Sequence, residues 1–235
     1  MTTGHGYRLR LGDQGPVQQS PVSCGAACLT VARMLVNPQF ARWITTGEGS
    51  RLDAPPGDTE AERFAAYERV VMGRTNRLYA GGRRLNVPWP RALGTPPWGA
   101  KKELEFGASR RGTQYTVQVM RAGLARRLRA DHARLVEVVD EGEPALLYVG
   151  NALLPRHVVL VLPGDGDRVL DVYDPATGMV TLLDEDSFAA RRLRLSGWDV
   201  PWFAVQPDGT RRVQAFGFST GMSTASRTSG VSASA

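Results

Sequence analysis

At Gly142 the hydrophobic pattern of the chain changes period, and no other feature narrows the possible folds as much. Ahead of it, apolar residues recur at helical intervals. Behind it come short β-branched or leucine-rich runs: "PALLYVG" (144–150), "HVVLVLP" (157–163), "RVLDVYD" (168–174) and "MVTLL" (179–183). The turns between them are "GDGD" (164–167) and "PATG" (175–178). Helices first and an antiparallel meander second is the order of an α+β fold.

Within the helical half, Cys24, Cys28, Val31 and Leu35 fall on one stripe, so a helix is expected from Cys24 to about Val36, with Ser23 as N-cap. Asn37-Pro38 ends it, and 37–58 reads as loop. Thr59 and Glu62 form a capping box for a helix over 59–72, with Phe64, Ala65, Tyr67, Val71 and Met72 as its apolar face. Residues 73–116 are a Gly/Pro-rich insertion with two exposed-looking tryptophans, Trp89 and Trp98; 85–100 is a candidate surface for a protein partner. Helical spacing returns at 117–129 and 132–141. A closing helix is expected over 186–195 and a last strand over 202–206. The domain therefore spans 1–207, and 208–235 is a Ser/Thr/Gly-rich tail with the composition of disorder.

Composition excludes several classes. The net charge of +6 comes from arginines scattered among carboxylates, with no basic stripe interleaved with aromatics, which argues against specific nucleic-acid binding. No apolar run approaches the roughly 20 residues of a membrane span. The N-terminus has no apolar h-region, so a cytoplasmic location is expected. The two cysteines, Cys24 and Cys28, are poorly aimed for a disulfide on one helix. His5, His132 and His157 are too few and too dispersed to complete a metal site with them. No cofactor or metal is expected, and His132 reads as a solvated helix residue.

Chemistry concentrates at Cys24. A thiolate is stabilised by the N–H groups at a helix start, and Gly25 and Ala26 leave space around the sulfur. A base is needed. Asp165-Gly166 is a preferred type I′ hairpin centre, and a two-residue turn there sets His157 directly across from Asp174. Asp174 then fixes the imidazole tautomer, leaving the other ring nitrogen for the thiol. A glutamine upstream, Gln18 or Gln19, supplies an amide to the oxyanion beside the Cys24 N–H. "GFSTG" (217–221) matches a nucleophile elbow but lies in the polar tail with no helix after it, and is discounted.

In order, Gln18, "CGAACL" from Cys24, "HVVLVL" from His157 and "DPATG" from Asp174 resemble papain-like cysteine peptidases. The nearest likeness is to the bacteriocin-processing, double-glycine-leader peptidases. The resemblance selects Gln18, six positions ahead of the cysteine, over Gln19. It implies the papain-like fold, with a helical lobe bearing the cysteine and a sheet lobe bearing the histidine and aspartate. It also implies a cysteine peptidase acting on a peptide or protein substrate. The same site would serve a deamidase or transglutaminase-like acyl transferase, and the scaffold without chemistry would serve binding.

Overall fold

The computed structural model describes residues 6–49, 57–76, 79–80, 84–85, 89–90, 93–164 and 169–211. It is an α+β molecule in which a six-stranded antiparallel sheet carries helices on both faces.

The helical half begins with α1 (Cys24–Val36), buried along most of its length. Asn37-Pro38 ends α1 as expected, but also starts α2 (Pro38–Thr46) inside the segment read as loop. Asn37 caps α2 by accepting the Phe40 N–H, and Pro38 takes the first helical position, where a missing N–H costs nothing. Next comes α3 (Glu60–Thr75), opened by the Thr59/Glu62 capping box. Two-residue strands β1 (Tyr79–Ala80) and β2 (Arg84–Leu85) pair antiparallel. The insertion is regular over its later described residues too. It forms α4 (Pro97–Glu103), a wider π-type turn over Leu104–Ala108, and β3 (Thr113–Val119). Trp89 and Trp98 are half-buried and meet edge to face at 5.4 Å, so they are not the exposed pair the sequence suggests.

The helical spacing read over 117–129 is misleading. Residues 117–119 belong to β3, and a single helix, α5 (Ala125–Val139), replaces the two expected. After it run β4 (Ala145–Gly150), β5 (Pro155–Val161), β6 (Asp171–Tyr173), β7 (Val180–Leu182), α6 (Glu185–Ala190) and β8 (Val200–Arg211). The sheet order is β3-β8-β4-β5-β6-β7. The meander is present, and β8 returns along the far side of β4. It extends through 208–211, where Arg211 pairs with Thr113, so ordered strand continues into the segment read as tail. Residues 212–235, including 217–221, lie outside the described residues, as do His5 and residues 165–168, on which most of the expected 164–167 turn falls.

Sandwiching explains the strand sequences. Leu146, Tyr148, Val158 and Leu160 pack toward α1 and α3, while Leu147, Val149, Val159 and Val161 pack toward α5 and α6. A strand buried on both faces reads as a continuous apolar run, not an alternating one. Among the described residues, no helix is long and apolar enough to cross a membrane.

Candidate active site

Three distant segments converge at the start of α1. The chain ahead of it runs along β7: Gly12 N–H donates to Val180 O, Val180 N–H to Asp13 O, and Gly15 N–H to Gly178 O. The Gln18 N–H then donates to Pro175 O at 2.8 Å. This sets residue 18 against the "DPATG" turn, six residues ahead of Cys24. Gly178, at φ +77, packs so closely on the Gly15 carbonyl that any side chain would collide with it.

β5 and β6 bring His157 and Asp174 together in a register other than the expected one. Leu160 faces Tyr173 and Val161 faces Val172, a shift of two residues from the pairing that a turn centred on Asp165-Gly166 imposes. An offset of two preserves which face each side chain occupies, whereas an offset of one would have separated them. His157 and Asp174 thus become diagonal neighbours, still within side-chain reach. A further irregularity, between Val149/His157 and Gly150/Pro155, lies beside the histidine. The contact is direct: His157 Nε2 to Asp174 Oδ1, 2.7 Å. Because a carboxylate only accepts, Nε2 carries the proton, and Nδ1 is the nitrogen left for another partner. The Cys24 thiol lies near enough to the same ring to act on its protonation.

Asp174 is fully engaged. Its Oδ1 also accepts the Ala176 N–H at 3.0 Å, forming the turn, and its Oδ2 accepts the Ser196 hydroxyl at 2.6 Å. Both His157 and Asp174 are buried. Burial alone would push the imidazole down; its hydrogen bond to the Asp174 carboxylate, its interaction with the Cys24 thiol and the charges of both outweigh it, raising His157 from 6.5 to about 9. For Asp174, burial pulls up, but the His157 bond and charge, with Ser196 and the Ala176 N–H, leave the carboxyl below its ordinary value.

The surroundings of Cys24 differ from expectation in three ways. Gly25 does not leave open space: a Cβ there would lie 2.6 Å from the Thr95 Cβ, so Gly25 is the residue that lets the 93–96 segment close over α1. Cys24 is only 3% exposed. The Ser23 hydroxyl donates to Ser20 O at 2.8 Å in place of capping α1. Gln18 donates its Nε2 to Ser20 O at 2.9 Å, while its Oε1 is buried without a partner. Gln19 is exposed, and its amide bonds Val17 O.

Two further residues were not flagged by the sequence. Glu68, on α3, is buried and accepts the Gln19 N–H at 3.2 Å. Its burial raises its carboxyl above the ordinary value despite the pull of Ser23 and the Gln19 N–H in the other direction. Ser196 sits in an "LSG" tripeptide whose Ser-Gly pair was a readable turn signal. Cys28 belongs to the core, its thiol 3.4 Å from Val158 O, and both cysteines are free. His132 is not solvated: it is buried, bonds Leu183 O at 3.0 Å and meets the Phe188 ring edge-on. Among the described residues, no three His, Cys, Asp or Glu side chains form a group able to hold a metal ion. No known family model matches the chain, and no curated protein matches it significantly.

Proposed function

We propose that the chain is a papain-like cysteine peptidase that hydrolyses a peptide or isopeptide bond in a peptide or protein substrate. The observation that carries this reading is the buried His157–Asp174 hydrogen bond, with the Cys24 thiol, at the first turn of a helix, near enough to raise the imidazole. Cys24 Sγ attacks the carbonyl carbon as its proton passes to His157 Nδ1. The carbonyl oxygen takes up negative charge facing the Cys24 backbone N–H and the Gln18 amide, which exchanges Ser20 O for the oxyanion. The C–N bond breaks as His157 protonates the leaving amine, leaving a thioester. Water, deprotonated by His157, attacks the thioester and releases the acid, and the proton returns to the sulfur. Asp174 holds Nε2–H throughout and favours the imidazolium. An amine in place of water gives the acyl-transfer variant of the same chemistry.

A second reading, a scaffold of this kind kept for binding, is favoured by one observation. Cys24 is 3% exposed, and Thr95 lies against Gly25. Iodoacetamide decides between them. Under the peptidase reading, Cys24 is carboxymethylated much faster than Cys28 near neutral pH, and His157→Ala abolishes the difference. Equal inertness of the two thiols refutes catalysis and leaves the scaffold.

A further inference from the structure

The connection from α6 to β8 breaks local conformational rules three times in six residues. Arg191, Arg194 and Ser196 all have positive φ, at 55°, 56° and 47°. Such backbone is disfavoured for any residue with a Cβ, and concentrations of it mark functional sites more often than chance. At Arg191 the cause is visible, because it is the left-handed C-cap of α6. Arg194 donates its N–H to the Asp199 carboxylate at 3.1 Å, which closes the loop on itself. Neither account covers Ser196.

Leu195 and Trp198 exchange backbone hydrogen bonds at 3.1 and 2.9 Å, with positive φ at both Ser196 and Gly197 between them. That is a two-residue hairpin of type I′, whose first central position favours Asn, Asp or Gly. Serine is a poor choice for the turn. It is a good choice for its neighbour: the Ser196 hydroxyl donates to Asp174 Oδ2 at 2.6 Å, the shortest bond the carboxylate makes. The turn is held in place by buried Leu193 and Leu195 and by Trp198 packed on the same core. The hydroxyl is therefore delivered by a rigid frame.

We propose that Ser196 is a positioning residue of this site, which locks the Asp174 carboxylate in the rotamer that turns Oδ1 to His157 Nε2. Its effect on turnover rests on the peptidase reading, whereas its effect on the His157–Asp174 pair does not. With Oδ1 shared between His157 and the Ala176 N–H, the carboxylate needs an anchor on Oδ2 to resist rotation. Ser196 is itself solvent-exposed, so water partly substitutes when the hydroxyl is lost, and the consequence is modest.

The test uses the full chain and follows the His157 imidazole by NMR titration in the wild type, Ser196→Gly and Ser196→Asn. Glycine removes the hydroxyl and relieves the backbone, so the fold is retained with an unchanged or higher Tm. The His157 midpoint then falls, and Cys24 carboxymethylation slows about fivefold. Asparagine suits the turn and restores an N–H donor, so its midpoint returns toward the wild type. A folded Ser196→Gly protein whose His157 midpoint equals that of the wild type overturns the proposal. Failure of the peptidase reading looks different: wild-type Cys24 shows no His157-dependent reactivity, while the midpoint still responds to Ser196.

Discussion

Asp174→Asn removes a charge and little else. Asparagine has the shape of aspartate; its Oδ1 still accepts from His157 Nε2 and from Ala176, and its Nδ2 meets the Ser196 oxygen. What disappears is the electrostatic support that lifts the imidazole to about 9 against the downward pull of burial. The difference from the ordinary 6.5 corresponds to about 3 kcal/mol between the charged and neutral ring, shared between Asp174 and Cys24. A histidine raised in the folded state stabilises fully below 6.5, and that stabilisation is lost as pH rises through about 9. Asp174, depressed in the folded state, contributes above 3.8 and loses its contribution as pH falls through its folded value. Both are fully present only between about pH 4 and 6.5. Urea unfolding of the wild type and Asp174→Asn at pH 6 should therefore differ by about 2 kcal/mol, and at pH 10 by well under half of that. The NMR midpoint of His157 should fall from about 9 by about 1.5 pH units in the variant, the equivalent of about 2 kcal/mol, the remainder being held by Cys24. A stability difference equal at pH 6 and pH 10 would show that the charge does not hold the ring, and the reasoning would fall.

Three other outcomes follow from the same neighbourhood. Gly25→Ala drives a Cβ into Thr95 and should cost about 1–3 kcal/mol net of its gain in helix propensity, read as a lower Tm; Thr95→Gly in that background should recover part of the loss, and additive effects would contradict the contact. Glu68→Gln should raise Tm at pH 8, because burial makes ionisation of Glu68 costly in the fold; below pH 4.5 the gain should vanish, and a gain constant across pH would exclude this cause. His132→Ala removes a buried ring from Leu183 O and Phe188 and should cost about 2–3 kcal/mol in denaturant unfolding, against near zero for a solvated histidine.

What could be read from the sequence depended on whether the cause was local. The α1 start, the α3 capping box and the meander are set by residues within a few positions of each other, and each was legible. The errors arose where one signal carried two meanings. Asn-Pro signals a helix stop, yet it is equally an N-cap followed by a first-turn proline, and α2 begins there. "VQVM" has apolar residues compatible with either period, and pairing with β8 decides for strand. Asp131 beside it makes His132 resemble a surface residue, but α6 and Leu183, far along the chain, cover the ring. Thr95 against Gly25, Glu68 against Gln19 and Ser196 against Asp174 are all tertiary contacts, which no local pattern announces.

The histidine–aspartate pair shows which part of such an inference is robust. A hairpin argument predicts both a register and a face, and the two do not carry equal weight. The register depends on the turn, whose length can change by one residue at each end at little cost, and here the pairing is offset by two. The face depends only on parity, and parity is enforced by burial. Sliding β6 by a single residue would turn Val172, which packs against α5 and α6, toward α1, and Tyr173 the opposite way. Both faces of this sheet are covered, so either error buries the wrong side chain. Even offsets are thus the only slips the core tolerates, and every even slip keeps Asp174 on the side of the sheet that His157 occupies. The core of the sheet, more than the turn at its end, holds the carboxylate within reach of the ring.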